Sequence, residues 1–215
     1  RKGGPGAPAW IAKTENDIIA AISQAKQQLQ PVRMGIGAGR AYVNINRDEL
    51  TPQGWKLGNN PDGPSEKTVW VIKFETLSGE PVALLANYAV HAVVMGPENN
   101  LVTGDLPGAA SRFVETAFGD KLVALWTSGA AGDQNPIYFN QTYELRDIRI
   151  ADYAKRGEDI SNAMPPGGQG LDRGNPRVKT LMDQQKRINE SLGQMLGEEI
   201  LHVMREGLEK STGDA

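Results

Sequence analysis

Residues 82–90 constrain the fold most: Val82-Ala83-Leu84-Leu85-Ala86-Asn87-Tyr88-Ala89-Val90 is a near-continuous apolar run. Such a run reads as a β-strand buried on both faces. It follows a strand-like stretch, residues 69–74, and a Ser78-Gly79 turn, so the two form a hairpin. A strand of that kind needs layers packed on it, and the rest of the chain offers helices for the purpose. Ile18, Ile22, Ala25 and Leu29 lie on one face of a helix predicted over residues 9–29, which Pro31 ends. Thr14 and Asp17 have the spacing of a capping box inside it. Pro107 opens a second helix that stops at Gly119. A third has Asn175 as its N-cap and Pro176 at its first position, and runs to about residue 208. Its apolar stripe is Leu181, Ile188, Leu192, Met195, Leu196, Ile200 and Val203.

Between these lie weaker signals. Residues 32–39 read as a strand with Gly35, Gly37 and Gly39 at alternate positions, which leaves one sheet face bare for close approach. Residues 48–66 hold Pro52, Gly54, Gly58, Pro61, Gly63 and Pro64 and read as a long ordered loop. Residues 122–126 are a short buried strand, and residues 137–176 read as an irregular insertion broken at Pro165-Pro166-Gly167-Gly168. The pattern predicts one α/β domain over residues 1–215, a mixed sheet flanked by helices. The few strands and the abrupt Arg1-Lys2-Gly3-Gly4-Pro5-Gly6 start suggest a piece of a larger catalytic domain.

Composition narrows the chemistry. The chain has no cysteine and two histidines, His91 and His202, which excludes cysteine nucleophiles, disulfide frameworks and cysteine-based zinc modules. A net charge of −3 lacks the basic face that nucleic acid needs. No apolar run is long enough to encode a membrane-spanning helix. The glycine pattern at 35, 37 and 39 has the wrong spacing for a dinucleotide fingerprint, and residues 129–132 lack the Gly-Lys-Ser/Thr of a phosphate loop.

Three stretches can carry chemistry. His91 ends the buried strand, where α/β enzymes place sites, and Glu98, Asn99, Asn100 and Asp105 follow it. It reads either as a metal ligand or as a hydrogen-bonded core histidine. His202, beside Glu198, Glu199 and Glu206 on the last helix, reads as a surface or packing residue. Asp133-Gln134-Asn135-Pro136 follows another buried strand; it suits an oxyanion or a metal-bound water, or equally a tight turn. Asn44, Asn46 and Arg47 end the glycine region and can bind a polar substrate group, or form an ordinary surface ion pair.

Taken in order, these stretches resemble the neutral/alkaline, non-lysosomal ceramidase family. The resemblance rests on residues 18–31 with the glycine strand, Asn44-Ile45-Asn46-Arg47, Asn87-Tyr88-Ala89-Val90-His91, Thr103-Gly104-Asp105-Leu106-Pro107-Gly108 and Gly132-Asp133-Gln134-Asn135-Pro136. It implies a zinc amidohydrolase that cleaves the amide of ceramide. It makes His91 a zinc ligand, Arg47 with Asn46 part of the substrate site, and Asp133 with Asn135 part of the catalytic loop. Asn135 stands where the family carries a nucleophilic serine. An amide nitrogen is not a nucleophile, so either attack falls to zinc-activated water or the substrate and reaction differ. The resemblance places the remaining zinc ligands outside this chain, so the 215 residues alone are expected to be metal-poor and inactive. It also favours a secreted, periplasmic or cell-surface setting, with membrane-surface contact in the parent. Two other readings stand beside it: a non-catalytic lipid- or ligand-binding homologue that has lost the serine, and a structural domain that associates through the stripe of its last helix.

Overall fold

The computed structural model describes residues 6–161, 168–206 and 208–210. The Arg1-to-Pro5 start and the Pro165-Pro166-Gly167 break lie outside the described residues. The chain forms α1 (Ala7–Gln27), β1 (Val32–Arg40), β2 (Asn44–Thr51), β3 (Gly54–Asn60), β4 (Thr68–Thr76) and β5 (Pro81–Tyr88). These are followed by α2 (Asp105–Ala117), β6 (Val123–Ser128), β7 (Gln134–Pro136), α3 (Asn140–Ala154), α4 (Pro176–Glu206) and β8 (Leu208–Lys210). One sheet has the order β6-β5-β4-β1-β8 and a second has the order β3-β2-β7. The large sheet is mixed: β5 and β6 run parallel across α2, and its other pairs are antiparallel.

The core lies between one face of the large sheet and the pair α2/α4. Val69, Val71, Leu84, Ala86, Tyr88 and Ala124 from the sheet meet Leu106, Ala110 and Val114 from α2. Leu192, Leu196, Ile200 and Val203 close it from α4. The glycines of β1 belong to this face. A Cβ on Gly39 would lie 2.0 Å from Glu199 Oε1 and 2.6 Å from Val203 Cγ2, so the bare strand admits α4 rather than a ligand. At the helix crossing, a Cβ on Gly193 would lie 2.3 Å from Ala109 Cβ and 2.9 Å from its carbonyl carbon.

Four expectations change. Residues 48–66 are not a loop: the second half of β2 and all of β3 pair there as an antiparallel hairpin turned at Gly54, whose φ is 103°. The periodicity was hidden because Leu50, Trp55 and Leu57 point outward to solvent and β3 is rich in Gly and Asn. The segment 137–176 is not irregular throughout. It contains α3, whose buried stripe is Leu145, Arg149 and Tyr153, so an arginine interrupts the apolar signal. Strand β5 is buried on one face only, since Ala83, Leu85 and Asn87 face away from the helices and stay half-buried. Finally, most of the α4 stripe is consumed internally, with Leu181, Leu192, Leu196, Ile200 and Val203 buried and Met195 alone of the stripe left exposed, so it offers no continuous surface for association. The helix that does stand clear is α1, in which no residue is buried. Thr14 caps nothing there and bonds back to Trp10 O at 2.9 Å.

The predicted caps elsewhere hold. Asn175 Oδ1 accepts the Arg177 N–H at 2.8 Å, and Gly119 ends the second helical region at φ 61°.

Candidate active site

Two parallel strands deliver the candidate residues to one place. His91 follows the carboxyl end of β5 and Asp133-Gln134-Asn135 follows that of β6, the end of a sheet where α/β proteins bind ligands. The two loops touch. Gly129 N donates to Tyr88 O at 2.9 Å, and a Cβ on Gly129 would already lie 3.3 Å from Ala89 N. The His91 N–H donates to Gln134 O at 2.9 Å. Strand β7 then pairs with β2, matching Ile45 with Asn135 and Asn46 with Gln134, while Arg47 N donates to Asp133 O at 2.8 Å. His91, Arg47 and the 133–135 segment are therefore joined through the backbone.

Strand alternation sorts the side chains into two faces. Asn44, Asn46 and Gln134 point to the buried side. Asn46 Nδ2 donates to Pro64 O at 2.9 Å and to Asp133 Oδ2 at 2.7 Å, and Gln134 Nε2 donates to Asp133 Oδ1 at 2.8 Å. Asn44 Nδ2 donates to Ala89 O and Glu66 O. The Tyr88 hydroxyl lies 2.8 Å from both Asn44 Oδ1 and Ala41 O, donating to one at a time. Burial pushes Tyr88 well above the ordinary phenol range, so it stays a donor. Lys67 Nζ completes the network by donating to Asn44 O at 2.6 Å, and burial lowers its pKa. The predicted pair Asn46 and Asp133 thus hold each other behind the site.

Ile45, Arg47 and Glu49 alternate onto the opposite face, and Asn135, paired with Ile45, points the same way. The His91 ring fixes its own orientation. Nδ1 lies 3.1 Å from Gln134 O, which can only accept, so Nδ1 donates there. The ring's Nε2 stands 3.5 Å from Arg47 Nη1. Asn135 is buried, and its Oδ1 has no hydrogen-bond partner; neither has Arg47 Nε.

The other polar residues after His91 serve the fold. Asp105 takes the N–H groups of Val94, Met95 and Leu106, and Glu98 accepts from Gln185 at 2.7 Å. His202 is exposed on α4 beside Glu199 and Glu206. Sequence reasoning missed Tyr143, which α3 lays over the Arg47 face. Its edge contact with Phe139 (ring centroids 5.3 Å apart) is an aromatic pair at helical spacing, a signal readable once the helix is recognised.

A histidine with Nδ1 anchored on a backbone carbonyl shares the orienting bond that metal-ligating histidines usually make. Among the described residues no cluster of three or more His, Asp or Glu side chains is placed to hold a metal ion. Of imidazole donors, the described residues bring one to this place, His91.

An anchored imidazole, a guanidinium and a buried carboxamide stand together where the loops after β5 and β6 meet β2. The chain belongs to the neutral/alkaline non-lysosomal ceramidase family: the family model "Neutral/alkaline non-lysosomal ceramidase, N-terminal" matches residues 10–149. Neutral ceramidase B of Dictyostelium discoideum is 31% identical over 136 residues, 56% of this chain and 18% of that protein. Neutral ceramidase A of the same organism is 34% identical over 106 residues, 46% of this chain and 14% of that protein. The fold is similar to the crystal structure of neutral ceramidase from Pseudomonas aeruginosa, with a TM-score of 0.59 at 18% identity. That match covers 92% of this chain and 26% of the other. A ceramidase structure complexed with C2 gives 0.58 at 20% identity over 89% of this chain and 25% of the other. The chain therefore spans about a quarter of the solved chains and less than a fifth of these relatives.

Proposed function

We propose that the full-length protein hydrolyses a ceramide-like lipid amide, with His91 as one ligand of a zinc ion whose other ligands lie outside the described residues. The observation that carries this reading is the His91 ring, held by Gln134 O with its Nε2 turned to the Arg47 side of the site. When bound, zinc supplies Lewis-acid polarisation of the amide carbonyl. Arg47 then orients an oxygen of the substrate through a guanidinium fixed at the strand end. Asn135 contributes its side chain to the same face, while Asn46 and Asp133 keep β2 and β7 in register behind it. The 215 residues alone bind zinc weakly, because one imidazole does not make a site. No described helix is long and apolar enough to cross a membrane; we place the parent at a membrane surface, in a secreted, periplasmic or cell-surface setting, on the strength of the lipid substrate.

In the full-length protein, His91→Ala is expected to lose stoichiometric zinc by elemental analysis and at least 100-fold in turnover of a short-chain ceramide. Arg47→Ala keeps the zinc and loses turnover. Unchanged turnover in His91→Ala rejects the metal role. One observation favours a second reading, a binding homologue without catalysis: Asn135 occupies the place where the resemblance puts a serine. Saturable binding of the short-chain ceramide by zinc-loaded wild type, with no hydrolysis, would establish that reading instead.

A further inference from the structure

Three buried polar atoms gather on the Arg47 face and satisfy none of their hydrogen bonds within the protein. They are Arg47 Nε, Asn135 Oδ1 and the Tyr143 hydroxyl. Arg47 and Asn135 are diagonal neighbours on the β2/β7 ladder, so their side chains leave the sheet together. Helix α3 sets Tyr143 above them. Its first residue is tied to β3 by Asn59 Nδ2 donating to Asn140 Oδ1 at 3.4 Å, and Phe139 packs edge-on against the Tyr143 ring. Tyr143 lies within electrostatic reach of Glu49, Arg47 and Arg146 and close to Asn135, yet no hydrogen bond of ordinary geometry joins it to Asn135. Burial, reinforced by Glu49, raises the Tyr143 pKa, so the phenol keeps its proton at neutral pH.

Unpaired buried polar groups are rare and ask for a partner. The partner can be read from their chemistry. Arg47 Nε only donates, Asn135 Oδ1 only accepts, and the protonated Tyr143 hydroxyl donates. A carbonyl or carboxylate oxygen would suit the two donors and face Asn135 Oδ1 acceptor to acceptor. An ammonium group would suit Asn135 and be repelled by Arg47. A hydroxyl answers all three, accepting twice and donating once. We infer that Arg47 Nε, Asn135 Oδ1 and Tyr143 Oη form a subsite for an alcohol hydroxyl of the substrate, with Tyr143 a substrate-binding residue contributed by α3. The inference rests on the amidase reading for the identity of the molecule that carries the hydroxyl: an N-acyl amino alcohol.

The test uses the full-length protein and three short-chain probes: an N-acyl-2-amino-1,3-diol and its counterparts lacking the 1- or the 3-hydroxyl. Tyr143→Phe keeps the ring and its contact with Phe139. It should lower kcat/KM about tenfold for the diol, and leave one of the two deoxy probes within twofold of wild type. That deoxy probe identifies the hydroxyl that is bound. Asn135→Ala should lose more on the diol than on that deoxy probe, whatever it loses on both, and serves where Tyr143→Phe fails to fold. An equal loss on all three probes would mean a structural role and overturn the subsite, as would no loss on any. A site that holds only water gives this last result. If wild type hydrolyses none of the probes, the amidase reading fails by itself. Calorimetry with the same three probes then decides the subsite: tenfold weaker diol binding in Tyr143→Phe, absent for one deoxy probe, supports it, and identical affinities or no binding overturn it.

Discussion

Asp105 shows how single residues hold this site in shape. Its backbone is left-handed, with φ at 51°, a region that side-chain-bearing residues enter at a cost. The carboxylate compensates by accepting three main-chain N–H groups, from Val94 at 3.1 Å, Met95 at 2.8 Å and Leu106 at 2.7 Å. The loop that follows His91 is thereby pinned to the first turn of α2, and acidic charge at a helix N-terminus adds to the effect. Asp105→Ala would strand three donors, two of them beside buried backbone, and is expected to destabilise the fold by about 3 kcal/mol. Urea unfolding followed by circular dichroism measures this directly. Asp105→Asn tolerates the same backbone and can accept fewer of the three bonds, so its loss should be smaller. A loss below about 0.5 kcal/mol in Asp105→Ala would show that the loop is held by something else.

Among the elements, the α2/α4 crossing decides how close the helices come to the sheet. Gly193 and Gly197, one helical turn apart, meet Ala109 and Phe113 across it. Gly→Ala within a helix gains about 1 kcal/mol of propensity. Against that stands a Cβ placed 2.3 Å from Ala109 Cβ and 2.9 Å from Ala109 C, where backbone and not a flexible tip must yield. Overpacking of this kind costs about 1–3 kcal/mol, so Gly193→Ala is expected to come out net destabilising, with a lower thermal midpoint. A raised midpoint would mean the helices can part freely. The same closeness explains what could be read from sequence. The 69–74 and 82–90 hairpin, the second helix and α4 were legible because their apolar residues face the core with regular spacing. The hairpin β2/β3 was not, since Trp55 and Leu57 face solvent, and α3 was not, since Arg149 sits in its buried stripe. The site followed suit. His91, Arg47 and Asn135 were named from sequence and do converge, whereas Asn46 and Asp133 turn to the other face, a distinction that only the strand register supplies. Tyr143 was out of reach because its helix was.

At the scale of the whole molecule, the described residues cover the large sheet on one side alone. On its open side the register lines up rows across four strands: Met34, Phe74, Ala83 and Val123 in one, Ile36, Ile72, Leu85 and Leu125 in the next. Trp70 extends this surface and is 52% exposed; Leu125 is 55% exposed. Contiguous apolar surface on this scale is uncommon in a monomer and drives association in water. The solved ceramidase chains that share this fold are longer, and this chain matches about a quarter of each. The 215-residue chain on its own is therefore expected to self-associate, with sedimentation-velocity mass rising with concentration over the micromolar range. Lysine at Ile72 and Leu125 together puts two charges in the middle of the open face without touching the α2/α4 side. This double variant should sediment as a monomer while retaining the circular dichroism of the parent chain. Leu84→Lys, directed at the covered face, should instead unfold the chain, since a buried ammonium without a partner costs more than the fold can absorb. If the double variant associates as strongly as the parent, the contact lies elsewhere, and the exposed apolar residues of α1, Trp10, Ile18, Ile19 and Ile22, are the next surface to change.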